Sequence, residues 1–291
     1  MTKLLLALSL VAGALTLAAC GSSGAPKTPT IQKVLVTQVA GFKPAGPVAA
    51  GKPVTVSFRI VEPNAAGTKL VTMTRFRRCC GPHTGVHMII VRDDLGVIIH
   101  QHPPVRPNGV FTQQVTFPKP GPYRVVLDVY PATGAQPNFQ LINERIRVAG
   151  AYRPQALPKP IRSETVDGGY HFRIAKIVPS PLKAIESALM YVTITDPQGK
   201  PVTFSPWFGA LAHAIFFHAG RFEYFHTHVC SPGAGGCTSL IAGSKVVGSS
   251  AVPGHLTVGV LLPDSGTWQL FLQLRDRGKI LTAPFTLRVG A

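Results

Sequence analysis

The sequence predicts an all-β chain built as two tandem β-sandwich units, and three observations carry that reading. Apolar residues alternate at period two in short runs: Val54, Val56, Phe58 and Ile60 against Thr55, Ser57 and Arg59, then Tyr123, Val125, Leu127 and Val129, then Trp268, Leu270, Leu272 and Leu274. Glycine (29) and proline (27) punctuate these runs, and the one helix-compatible stretch, SPLKAIESALM, is short. The third observation is that the pattern is written twice.

In the first copy HMIIVRDDLGVIIHQH sets His87, His100 and His102 at the spacing H-x12-H-x-H, and His213, His226 and His228 repeat it. Downstream, GVFTQQVTFPKPGPY aligns without a gap on GHLTVGVLLPDSGTW, so Gly109, Pro118, Gly121 and Tyr123 meet Gly254, Pro263, Gly266 and Trp268. The first block is offset by 126 residues and the second by 145, a difference of 19 residues inserted between His228 and Gly254. Trp268 and Tyr123, each one step past a Gly-x pair, read as sandwich-core or tyrosine-corner residues.

The N-terminus places the chain outside the cytoplasm. Lys3 and the apolar run LLLALSLVAGALTLAA form a signal peptide too short for a membrane span. It closes on LAAC, Leu17–Cys20, followed by Gly21, which resembles the lipobox of bacterial lipoproteins. That resemblance implies cleavage before Cys20, a diacylglyceryl (palmitate-type) thioether on its sulfur, and a lipid-anchored protein on the extracytoplasmic face of the cell membrane. The chain then divides into residues 1–19 as signal peptide, 20–32 as flexible tether, 33–150 as first sandwich, 151–160 (AYRPQALPKP) as linker and 161–291 as second sandwich. A formal net charge of +17 draws such a body to anionic headgroups or polyanionic wall polymers. Its Lys and Arg are scattered, with no basic helix interleaved with aromatics, which argues against nucleic acid.

With Cys20 assigned to lipid, Cys79, Cys80, Cys230 and Cys237 remain, an even set that in an oxidising compartment predicts disulfides. Cys230 and Cys237 bracket the loop SPGAGG and are the expected local bridge; the partner of Cys79 and Cys80 stays open.

The histidines carry the functional signal. A two-residue turn at Ala219–Gly220 sets His213 across from His226 in an antiparallel hairpin, with His228 at i+2 on the same face. A turn around Asp93–Asp94 groups His87, His100 and His102 alike. Three neutral imidazoles from two strands form a facial nitrogen site with an open position, suited to a Zn or type 2 Cu ion. The competing structural reading is as simple. The same face carries Ile89, Val91 and Ile98 in one copy and Ile215, Phe217, Phe222 and Tyr224 in the other, which reads as a core face. Histidines at its rim can hydrogen-bond backbone carbonyls, and duplication copies a packing role as faithfully as a metal site. His218 falls on the opposite face, His255 stands where the first copy has Val110, and His83 beside CCG has no counterpart.

PWFGALAHAIFFHAGRFEYFHTHV resembles a stretch of secreted bacterial Ig-like domains loosely described as heavy-metal-binding or YtkA-like. The matching positions are Gly209, Ala210, His213, Gly220, Tyr224, His226 and His228, and FPKPGPYRVVLDV resembles another strand of that group. The resemblance covers about a third of the chain and is weaker in the first unit, where RRCCG is peculiar to it. It implies an Ig-like (cupredoxin-like) sandwich and a copper or zinc connection.

Three function classes follow. The first is a surface metal binder that buffers or delivers Cu or Zn, with a metal transporter or wall polymer as partner and the membrane engaged through Cys20. Met73, Met88 and Met190 are isolated, against a Cu+ shuttle, and no Cys-His-Met run exists for a blue-copper site. The second is a non-catalytic Ig-like interaction module at the cell envelope with structural histidines. An enzyme is the third: Glu223 and Asp93 lie at the hairpin ends away from the trios, and no nucleophile elbow, carboxylate pair or redox C-x-x-C is present.

Overall fold

Period-two alternation becomes strand pairing throughout. The computed structural model describes residues 35–77, 85–132, 138–166, 168–230, 238–241 and 244–291, with the backbone alone at 143, 238–241 and 244–249. The leader, the tether to residue 32 and Cys20 lie outside the described residues.

The first half contributes β1 (Gln38–Lys43), β2 (Val48–Ala49), β3 (Pro53–Pro63), β4 (Leu70–Thr72), β5 (Val86–Arg92), β6 (Ile98–Gln101), β7 (Phe111–Thr116), β8 (Gly121–Val129) and β9 (Phe139–Ala149). One sheet runs β1–β3–β4 with β7 on β3, and the other runs β2–β9–β8–β5–β6. Val56, Phe58 and Ile60 from the first sheet meet Met88, Ile90, Tyr123, Val125 and Leu127 from the second in one core. That sheet-on-sheet burial is what period-two alternation requires.

The second half adds β10 (Ser163–Val166), β11 (Tyr170–Val178), β12 (Ala188–Thr195), β13 (Ala212–His218), β14 (Tyr224–Cys230), β15 (Thr238–Ile241), β16 (Ser244–Ser249), β17 (His255–Val260), β18 (Gly266–Asp276) and β19 (Lys279–Val289). Pairing is continuous in the order β10–β11–β12–β17–β16–β14–β13–β18–β19, with β15 on β16. The sheet closes over a core in which Phe172, Ile174, Met190 and Val258 meet Phe216, Trp268, Leu270 and Leu272. Among the described residues there is no helix, and none therefore long and apolar enough to cross a membrane.

The repeat holds in three dimensions. Tyr123 donates its hydroxyl to Lys119 O at 2.8 Å, and Trp268 donates its indole N–H to Asp264 O at 3.0 Å. The preceding glycines, Gly121 and Gly266, share φ values of 132° and 134°. A Cβ on Gly266 would collide with the His218 ring, and one on Gly121 would meet Tyr152 at 2.6 Å. Close approach of a side chain, added to the left-handed backbone, fixes glycine at both positions.

The face bearing Ile89, Val91, Ile215 and Phe217 is not the core of either sandwich. These residues join Leu95, Val126 and Phe271 in a separate cluster drawn from both halves, with Ile98, Phe222 and Tyr224 packed against it. Strands β5 and β13 are accordingly buried along their whole length, one face in their own sandwich and one in the junction. Arg124 lies over the Phe222 ring at 3.7 Å across this junction. Residues Leu35–Ala291 thus form one compact unit. The segment 151–160 lies against the first sandwich: Gln155 N–H donates to Asp94 Oδ2 at 3.1 Å, and the Arg92 guanidinium faces the Tyr152 ring.

Candidate metal centre at the junction of the two sandwiches

Both hairpins close with four-residue loops. Arg92 N–H donates to Val97 O, and His218 N–H donates to Glu223 O, leaving 93–96 and Ala219–Phe222 as the loops. The expected two-residue turn at Ala219–Gly220 is therefore wrong, and Phe222, with φ 62°, is what lengthens the loop. The register moves by two residues: His213 pairs with His228 and Ile215 with His226, while Ile89 pairs with His100. An even shift leaves every side chain on its face, so convergence survives the error.

The outcome is larger than either trio. Across the junction His87 lies 5.3 Å from His226 and 5.4 Å from His228, ring centre to ring centre, and His100 lies 4.7 Å from His213. Within the halves, His87 stacks on His102 at 4.0 Å, and His226 lies 4.5 Å from His228. The sequence treats the trios as two sites; packing of β5–β6 on β13–β14 makes them one cluster. Ligand atoms of His213, His226 and His228 all lie within 4.8 Å of one another, as that trio requires. In the first half, His226 takes the place expected for His102: the group that meets the same spacing is His87, His100 and His226.

Partners on the far ring nitrogens set the tautomers. Asp128, buried at the end of β8, accepts from His226 Nδ1 at 3.0 Å and from the Tyr224 hydroxyl at 2.7 Å, both on Oδ2. In the neutral ring His226 Nε2 is then the lone-pair nitrogen, and it faces His213 Nδ1 at 3.2 Å. His213 Nε2 donates to Trp207 O at 3.0 Å, which makes His213 Nδ1 a lone pair as well. Gln273 orients its amide by donating to Thr282 Oγ1 at 3.0 Å, so its Oε1 accepts from His100 Nδ1 at 3.2 Å. That leaves His100 Nε2 for the cluster, 3.2 Å from His102 Nε2. Two facing lone pairs repel unless a proton or a metal cation lies between them. Their 3.2 Å separation matches the edge of a tetrahedral nitrogen site, ~3.3 Å for bonds of about 2.0–2.1 Å. A ligating histidine whose second nitrogen is held by a carboxylate is the usual outer-shell arrangement.

Burial acts in the same direction. It holds the His87 pKa well below 6.5, helped by His102, His226, His100 and His213. His100 is lowered for the same reason, with His213, His226 and His102 adding to burial and Gln273 opposing it. Both imidazoles are neutral at pH 7, the form that binds metals.

An aromatic turn covers the cluster. Trp207 and Ala210 exchange backbone hydrogen bonds of 2.8 and 3.2 Å around Phe208 and Gly209, which carry φ values of 49° and 81°. Positive φ at both central positions is a type I′ turn. It lays the Phe208 ring on His102 at 3.8 Å and sets Trp207 edge-on to His100 and His213.

His218 is buried outside the cluster, with Nε2 donating to Ser265 O at 3.0 Å and its ring on Trp268, a packing role. His255, at the start of β17, is exposed. Cys230 closes β14; Cys79, Cys80, Cys237 and His83 lie outside the described residues, and with them the expected Cys230–Cys237 bridge. Sequence reasoning missed Asp128, Gln273, Trp207 and the role of Tyr224. The 145-residue offset already aligns Asp128 with Gln273, so two polar residues at one repeat position inside apolar strands were the available signal.

Residues 164–291 match the model of a domain of unknown function, DUF8832. No curated protein matches the chain. Among solved structures it is similar to FdeC, an Escherichia coli adhesin, at 15% identity over 89% of this chain and 66% of that one (TM-score 0.24). It is similar to invasin, a bacterial integrin-binding protein, at 13% over 88% and 39% (TM-score 0.22), and to a marsupial T cell receptor at 10% over 90% and 100% (TM-score 0.25).

Proposed function

We propose that this chain is a surface-anchored lipoprotein that binds a divalent transition metal, Cu2+ or Zn2+, for buffering or delivery outside the membrane. Its ligands are His213, His226 and His228 on the β13–β14 hairpin. The observation that carries the reading is the Asp128–His226–His213 line. A buried carboxylate holds one nitrogen of His226, and the other nitrogen faces a second lone pair at 3.2 Å. A metal ion held by both nitrogens would relieve that opposition. The resemblance to heavy-metal-binding Ig-like domains agrees with it, and lipid on Cys20 would hold the centre at the cell surface.

Equilibrium dialysis of the full chain, purified without a His-tag, against Cu2+ and Zn2+ tests the reading. Sub-micromolar binding, lost in the His226→Ala/His228→Ala variant, is expected. A folded chain that binds neither ion would return the histidines to a packing role and leave the interaction module as the function.

A further inference from the structure

The two hairpins are related by the internal repeat, and they meet face to face. His100 and His226 occupy equivalent positions, 126 residues apart, and Asp128 and Gln273 are equivalent at an offset of 145. In β5–β8 pairing His87 lies opposite Asp128, and in β13–β18 pairing His213 lies opposite Gln273. Yet the hydrogen bonds that Asp128 and Gln273 make to ring nitrogens cross to the other half. Asp128 of the first half holds His226 of the second, and Gln273 of the second half holds His100 of the first. The exchange is reciprocal, as in a two-fold dimer fused into one chain.

We infer that the metal centre is a single composite site, binding one ion per chain with ligands from both halves and His226 as the shared ligand. This inference rests on the metal-binding reading above and goes beyond its ligand set. His226 belongs to both ligand groups, His213/His226/His228 and His87/His100/His226. With Nδ1 given to Asp128, it has one lone pair, on Nε2, and one lone pair serves one ion. The two groups are therefore alternative descriptions of a common centre and cannot be filled together. Asp128 and Gln273 are positioning residues: each fixes the tautomer and ring direction of a ligand across the junction. The first offers a carboxylate to its ligand and the second a neutral amide.

The test is a Zn2+ and Co2+ titration of the full chain with its variants. One ion per chain is expected. His87→Ala/His100→Ala, which leaves His213, His226 and His228 intact, weakens binding by more than tenfold. Gln273→Leu weakens it about 10–100-fold and alters the visible Co2+ ligand-field spectrum, and Gln273→Glu, which keeps an acceptor on His100, restores both. Two ions bound per wild-type chain would overturn the composite site. So would one ion whose affinity ignores the first-half variant, an outcome that leaves the second-half trio as a sufficient site. If the His87→Ala/His100→Ala chain fails to fold, the Gln273 pair decides: an unchanged spectrum and affinity in Gln273→Leu rejects the inference. No binding by the wild-type chain defeats the metal reading itself.

Discussion

Asp128 is the residue on which most depends. It is 4% exposed, carries two charge-assisted contacts, and comes from the opposite half to both of its donors. Replacing it with alanine strands the Tyr224 hydroxyl and His226 Nδ1 in a buried site. Each lost partner leaves a desolvated donor, about 1–3 kcal/mol apiece. Asp128→Ala should lower unfolding stability by several kcal/mol in urea titration, and Asp128→Asn, which keeps an acceptor oxygen, should lose much less. Equal losses would show that charge, not hydrogen bonding, sustains the site. Gly266 is a second point of dependence. An alanine there meets the His218 ring and must hold φ near 134°, so Gly266→Ala should cost more than the ~1 kcal/mol of an unstrained change.

At the level of elements, the strands were legible and their second neighbours were not. Period-two alternation placed β3, β8 and β18, and the shared histidine spacing placed both hairpins. Turn length was missed because Phe222 adopts positive φ, which no local rule assigns to an aromatic residue. The junction was missed for another reason. VHMIIVR and AHAIFFH are apolar at nearly every position, the pattern of a strand covered on both faces. Read as half-buried strands, they hid the surface that brings the trios together. The loop 93–96 offers a test of its own. Burial would raise the Asp94 carboxyl, but the Arg92 guanidinium and the N–H groups of Gln155 and Gly96 outweigh it and hold the pKa below the ordinary carboxylate value. The unfolded chain therefore binds a proton more readily, and Asp94 contributes stability above pH ~4 that is lost as pH falls through its folded pKa. In Asp94→Asn the acid limb of a thermal-melt profile should be shallower than in the wild type. An identical limb would place the acid sensitivity elsewhere.

For the whole molecule, the junction makes one body of two repeats. Ile89, Val91, Val126, Ile215, Phe217 and Phe271 bury apolar surface between the sandwiches, with the histidine cluster beside them. The chain should therefore unfold in a single cooperative transition, and Phe217→Ala, at about 3–5 kcal/mol, should split it into two. A single broadened transition in that variant would mean that the halves are coupled by something other than this cluster. Lipid attachment is tested at the same scale: Cys20→Ser should move the protein from the membrane fraction to the soluble extracytoplasmic fraction. Retention in the membrane would assign anchoring to another part of the chain.

The most direct measurement is anomalous diffraction from crystals of the chain grown with one equivalent of Zn2+, collected at the zinc edge. A composite centre gives one peak per chain, about 2.1 Å from His226 Nε2 and within the shell formed by both hairpins. A peak in each half, or a peak remote from His226, would contradict it.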